Sequence, residues 1–276
     1  GVMAMAQPRA VQVWLNSTSV GGSAGGYFAA VASQIDDGVQ ILDISDPDDT
    51  DNNSNTIFNA TDSSPAGSTG GGSFETHAAR AVTGHFNSAT PMDGAIAVTL
   101  INNGSTAAPA YYVAVAGFLG DGIQIYNARD TGDAGGHFSL AGNMSNVNPG
   151  YQANNFSGRT VLDGVSAMDT FLFPNTTKYA NGAGTYLIAT AFIEDGVQIF
   201  NVSDPNNLVI PGTNTTAAAA GFANLDGARD VATWDHSGTP YAIVTSSVKD
   251  AVTVIDLSGR SVSQAAGRGD CTPDRN

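Results

Sequence analysis

The sequence predicts an all-β protein of four like antiparallel sheets. Three observations predict it: a motif that recurs four times, apolar residues that alternate with period two inside it, and a composition rich in turn formers and poor in helix formers. The chain has 276 residues with 33 Gly and 11 Pro; its acid is almost all Asp, the only glutamates being Glu75 and Glu194 and the only lysines Lys178 and Lys249. Straight-chain residues that favour helices are therefore scarce. Gly, Pro, Asn, Asp, Ser and Thr supply turns instead, by freeing or fixing φ and by bonding their own backbone.

The motif reads DDGVQILDISDPDD from Asp36, GDGIQIYNARDTGD from Gly120, EDGVQIFNVSDPNN from Glu194 and KDAVTVIDLSG from Lys249. In each copy Asp37, Asp121, Asp195 or Asp250 precedes Gly38, Gly122, Gly196 or Ala251. The pairs Val39/Ile41, Ile123/Ile125, Val197/Ile199 and Val252/Val254 follow at strand spacing. Upstream lies a second apolar run with an aromatic at its head: Tyr27-Phe28, Tyr111-Tyr112, Tyr186 or Tyr241. A strand, an Asp-Gly turn and a strand make a hairpin, the Asp-Gly pair being expected to supply the positive φ angles of a tight primed turn. Asp46-Pro47 and Asp204-Pro205 then end the second strand, because proline cannot donate to a ladder.

A third recurring element, Asp93-Gly94, Asp163-Gly164 or Asp226-Gly227, opens another apolar run before each of the last three hairpins; Pro8-Arg9-Ala10 stands in its place in the first unit. Phe86, Phe156 and Phe222 lie upstream of these turns and mark a looser fourth strand. The expected organisation is one domain with blades at about 1–62, 85–145, 155–215 and 222–265, a Gly/Ser-rich insertion and connecting strand at 63–84, and a tail at 266–276. Four-stranded units repeated radially bury both faces of each sheet against neighbours, so the expected architecture is a four-bladed β-propeller. A β-sandwich or β-solenoid of similar strand count is the alternative, and four blades of a larger ring a third.

The strand tails ILDISDP (41–47) and IFNVSDP (199–205), with VIDLSG (254–259) and IYNARDTG (125–132) as looser copies, resemble the repeats of the LVIVD-repeat β-propeller family. The resemblance implies a secreted or cell-surface propeller and brings no shared catalytic residues with it.

Charge and sequons bear on location and partners. Ten Lys+Arg against 25 Asp+Glu give a net charge of −15, which disfavours nucleic acid and anionic membrane surfaces as partners. No apolar run approaches the length of a membrane span, so direct membrane insertion is not expected. The chain opens at Gly1 without a charged-then-apolar leader, as a processed form or an excerpt of a longer protein would. Nine Asn-x-Ser/Thr sequons occur, roughly twice the number that random placement gives, and point to a glycosylated protein outside the cell or on its surface. Asn201 closes a motif strand beside Asp43, Asn127 and Asp256 and is read as a turn residue. The expected glycan sites are Asn16, Asn52, Asn59, Asn103, Asn143, Asn155, Asn175 and Asn214. The single cysteine, Cys271, excludes an internal disulfide and is a candidate for an intermolecular one.

Residues that carry chemistry are sparse. Asp93, Asp163 and Asp226 head the expected inner strands, and convergence on the axis would suit Ca²⁺, a hard cation that takes oxygen ligands. Asp46, Asp48, Asp49 and Asp51 form a second acidic candidate, without the glycine and closing Glu of an EF-hand loop. His77, His85, His137 and His236 form no metalloprotease pattern, and Asp169, Asp230 and Asp235 are candidates for a glycosidase-type carboxylate pair whose separation the sequence does not fix. The Asp column at 37, 121, 195 and 250 reads as turn chemistry, Arg268-Gly269-Asp270 is an isolated tripeptide, and Trp14 and Trp234 are candidates for stacking on sugars. The function expected first is a non-catalytic structural or adhesive module, a repeating subunit of a surface layer or filament, whose partners are other protein subunits or surface glycans. A Ca²⁺-dependent hydrolase or lyase with an axial site, or a carbohydrate-binding module, is the alternative.

Overall fold

The computed structural model describes residues 7–16, 26–35, 38–43, 82–83, 93–103, 111–127, 140–145, 162–173, 183–204, 215–216, 225–257 and 264–265. These residues are all-β, in four antiparallel sheets each built from strands consecutive in the chain. Sheet 1 holds β1 (Pro8–Asn16), β2 (Gly26–Ser33), β3 (Gly38–Asp43) and β4 (Val82–Thr83). Sheet 2 holds β5 (Ala95–Asn102), β6 (Tyr111–Gly117), β7 (Gly122–Asn127) and β8 (Leu140–Ser145). Sheet 3 holds β9 (Val165–Phe173), β10 (Gly184–Ala191), β11 (Gly196–Asn201) and β12 (Thr215–Thr216). Sheet 4 holds β13 (Ala228–His236), β14 (Thr239–Ser246), β15 (Ala251–Asp256) and β16 (Gln264–Ala265). Three strands of each sheet are long; the fourth has two residues in sheets 1, 3 and 4.

The sheets share one register. Phe28 faces Asp43, Tyr112 faces Asn127, Tyr186 faces Asn201 and Tyr241 faces Asp256. The first strand of each is irregular at its second residue, between Pro8 and Ala10, Ala95 and Ala97, Val165 and Ala167, and Ala228 and Asp230. Residues of the first three strands of one sheet therefore have equivalents in the next.

The hairpin turns differ from the sequence expectation. Residues 118–121, 192–195 and 247–250 are four-residue loops in which Asp121, Asp195 and Asp250 alone take a positive φ, of 48°, 57° and 49°. The following Gly122 and Gly196 already belong to the strand, which explains why Ala251 replaces glycine in the fourth unit without harm. Aspartate enters the left-handed region because its short side chain can bond locally, so the loop needs no Asp-Gly pair.

Apolar residues of three clusters lie between consecutive sheets. Trp14, Phe28, Ala30, Ala32 and Val39 of sheet 1 meet Ala95, Val98, Val113, Val115 and Tyr126 of sheet 2. Ile101, Ile123 and Ile125 of sheet 2 meet Leu162, Met168, Leu187 and Phe200 of sheet 3. Phe171, Tyr186 and Ile188 of sheet 3 meet Leu225, Val231, Val244, Ile255 and Leu257 of sheet 4. Sheets 2 and 3, covered on both faces, accordingly carry continuous apolar runs such as YLIATA. Full burial of Tyr186 or Phe200 contributes about 1.5–3 kcal/mol per side chain.

The order of packing is 1-2-3-4. First strands touch first strands, β1 with β5, β5 with β9 and β9 with β13, and second strands reach the next first strand, whereas third strands, farther apart, contribute side chains to the shared clusters. Among the described residues β13 is not packed on β1 in the way that consecutive first strands are, so the row of four is not closed.

Candidate functional site

The repeated acidic residues lie where one sheet joins the next. Gly164, in the turn that opens sheet 3, donates its N–H to Asp121 Oδ1 in the second-to-third-strand loop of sheet 2 at 2.9 Å. Gly227, which opens sheet 4, donates in the same way to Asp195 Oδ1 of sheet 3 at 2.7 Å. The motif aspartates therefore fasten a sheet to its successor, beyond the turn role that the sequence suggests. Recurrence of Asp at 250 without its glycine was a signal only that the motif keeps the aspartate itself, which takes the positive φ, and gave no sign of the bond to the next sheet.

The glycines of these junctions are held in the left-handed region, with φ of +66° at Gly94 and Gly164 and +68° at Gly227. A Cβ on Gly164 would lie 2.8 Å from Ile193 Cγ1, and one on Gly227 would lie 2.5 Å from Val248 Cγ2, since the second-to-third-strand loop of the same sheet folds over the turn. Close approach and backbone sign together require glycine there.

Asp163 N–H donates to Glu194 Oε2 at 3.1 Å, which places Glu194, Asp163 and Asp121 side by side at the junction of sheets 2 and 3. Burial pushes the Asp121 carboxyl up to about 6, the Gly164 N–H opposes that shift, and the neighbouring Asp163 and Glu194 add to it. At the junction of sheets 3 and 4 Lys249 occupies the place of Glu194 and pairs with Asp226 Oδ2 at 3.4 Å. Asp93, Asp163 and Asp226 each head a first strand as expected; Asp163 is engaged at the junction of sheets 2 and 3 and Asp226 at that of sheets 3 and 4. Among the described residues no group of three or more His, Cys, Asp or Glu side chains is arranged to hold a metal ion. Asp46, Asp48, Asp49 and Asp51 lie outside the described residues.

First strands also line an open groove of about 470 Å³, bordered by Gln12, Thr99, Asn102, Asp169, Thr170 and Thr185. Its one carboxylate is committed to structure: Asp169 Oδ2 accepts from Thr233 N–H at 2.6 Å and from Thr233 Oγ1 at 2.8 Å, and Oδ1 accepts from Thr170 N–H at 2.7 Å. Threonine hydroxyls climb the row in equivalent positions, Thr170 Oγ1 donating to Leu100 O at 3.1 Å and Thr233 Oγ1 sharing its one proton between Asp169 Oδ2 and Thr170 O, the latter at 2.9 Å. Asp230 Oδ1 accepts from Val231 N–H and Asp235 Oδ1 from Gly238 N–H, so the expected carboxylate candidates serve the backbone. His236 is exposed at the end of β13; His77, His85 and His137 lie outside the described residues. With Leu100, Phe171 and Leu172 completing its lining, the groove offers hydroxyl and amide hydrogen bonding beside apolar surface.

Trp14 is buried and stacked on Phe28 with ring centroids 5.7 Å apart. Trp234 is exposed and stacked on Tyr241 at 5.4 Å, beside a cavity of about 340 Å³ lined also by Thr170, Leu172, Thr233 and Asp235. Of the sequons, Asn103 is half-buried and donates Nδ2–H to Val202 O at 2.6 Å. Asn16 ends β1 and Asn143 lies in β8. Asn201 behaves as a turn residue, its Oδ1 accepting from Ser203 N–H at 3.0 Å. Asn52, Asn59, Asn155, Asn175, Asn214, Cys271 and the 268–270 tripeptide lie outside the described residues. Among the described residues no helix is long and apolar enough to cross a membrane. No protein-family model and no curated protein matches the chain.

Proposed function

We propose that the four sheets are blades of a β-propeller-type array and that the chain is a non-catalytic structural or adhesive module, N-glycosylated and working outside the cell or on its surface. The observation that carries this reading is the use made of the repeat: Asp121 and Asp195, the most regular polar residues of the chain, bind the next sheet's backbone rather than converge on a reaction centre. Contact that is tightest between first strands and passes to side chains outward supports a radial spread of blades. The sequon excess and the LVIVD-like strand tails support the location. A net charge of −15 disfavours nucleic acid as a partner.

Electron microscopy of native material, combined with glycopeptide mapping, tests the reading. It expects the protein in an ordered surface layer, filament or matrix with sugar on sequon asparagines. Free monomers in solution bearing no glycan at any sequon would overturn it.

A further inference from the structure

Among the described residues the two end sheets each leave bare a face that every internal junction covers. On sheet 1 the face turned away from sheet 2 carries Val11, which is 63% exposed, whereas its equivalents Val98, Met168 and Val231 are 8%, 8% and 7% exposed against the preceding sheet. On sheet 4 the face turned away from sheet 3 carries Trp234, Ile243 and Val252, 41%, 37% and 43% exposed. Their equivalents in sheet 3, Phe171, Ile188 and Val197, are 6%, 0% and 1% exposed, buried under sheet 4. The bare face of sheet 4 is therefore the kind that receives a following sheet, and the bare face of sheet 1 is the kind that follows.

The polar fastening repeats this pattern. Asp250 is the equivalent of Asp121 and Asp195, with the same positive φ. Gln7 is the equivalent of Gly94, Gly164 and Gly227: its φ is +57°, and its carbonyl accepts from Gln34 N–H as Gly94 O accepts from Phe118 and Gly164 O from Phe192. Sheet 4 thus ends in the acceptor, and sheet 1 begins with the backbone donor, of one more junction.

We propose that the bare face of sheet 4 docks the bare face of sheet 1 of a second copy of this chain, head to tail, with the Asp250 carboxylate accepting the Gln7 N–H of that copy. The occupant follows from continuity: three apolar junctions of consecutive sheets exist within the chain, two of them with the aspartate-to-glycine bond among the described residues; the two faces that would make a fourth are not packed on each other among those residues, and a second copy presents the complementary one. Because donor and acceptor faces differ, the contact is heterologous and adds copies in one direction until the rotation closes a ring or runs on as a filament. The inference deepens the structural-module reading by naming the surface through which modules join.

The test is sedimentation velocity over a concentration series on the 276-residue chain and on Val11→Glu and Val252→Glu, each of which alters an exposed side chain at one end only. The wild type is expected to form dimers and longer species with rising concentration, and each variant alone to be monomeric. An equimolar mixture of the two is expected to give a one-to-one dimer through the intact sheet 4 of Val11→Glu and the intact sheet 1 of Val252→Glu. Asp250→Gly, which suits the positive φ and deletes the carboxylate, should weaken association on the order of tenfold. A wild type that stays monomeric while both variants melt at lower temperature would overturn the proposal in favour of closure within one chain. Assembly that neither variant disturbs would overturn it too, while leaving the structural-module reading intact. Monomers throughout, with both variants neutral, would also overturn it, and the microscopy above would then decide the broader reading separately.

Discussion

Asp121 shows how one residue serves a junction at a cost. Its folded carboxyl titrates near 6, above the ordinary 3.8, so between those values the folded protein holds a proton that the unfolded chain releases. The contribution of Asp121 to stability is therefore fully present below about pH 4 and is lost as pH rises through about 6. Asp121→Asn keeps an acceptor for Gly164 N–H and tolerates the positive φ, but removes the charge. Thermal melts from pH 4 to pH 8 should show the variant gaining on the wild type as pH rises, with the gap flat above about pH 7; a constant gap across the range would contradict the assigned burial. Gly227 makes the steric side of the same case. Gly227→Ala forces an L side chain into the left-handed region and against Val248, and should destabilise the fold by about 1–3 kcal/mol in urea titrations, mostly as faster unfolding of sheet 4.

At the scale of the strand and sheet, much was legible in the sequence because its signals are local. Period-two alternation in GVQIF and the aromatic at the head of YLIATA predict β11 and β10, and the repeat predicts the same hairpin three more times. What the hairpin loop would do was not legible: Asp195 reads identically whether its carboxylate bonds its own turn or Gly227 N–H, 32 residues away, because that choice is set by sheet packing. The same holds for Asp169, whose partner Thr233 is 64 residues distant. Burial follows position in the row more than residue type. Phe200 is enclosed between sheets 2 and 3, so Phe200→Ala should cost about 3–5 kcal/mol, whereas Trp234→Ala, on the bare face of sheet 4, should cost under about 1 kcal/mol in the monomer. Chemical denaturation at low protein concentration compares the two. Similar losses would mean that the face of sheet 4 is covered in solution by the chain's own residues.

Over the whole molecule the four sheets use a repeated sequence to make a repeated contact, and that contact has polarity: sheets 2 and 3, through Asp121 and Asp195, each accept from the sheet that follows. A chain built so has two unlike ends, which is the basis for the head-to-tail association expected of Val11→Glu mixed with Val252→Glu. The sites anticipated for catalysis and calcium drew on residue types and on their expected places along inner strands, and the described structure gives Asp169, Asp226, Asp230 and Asp235 backbone, threonine or lysine partners. The central claim is that the motif aspartates fasten consecutive sheets, and residue-resolved amide hydrogen exchange tests it most directly. In the wild type the N–H groups of Gly164 and Gly227 should both be protected. In Asp195→Gly, protection should fall at Gly227 and persist at Gly164. Free exchange at both glycines in the wild type, or unchanged protection of Gly227 in the variant, would contradict it.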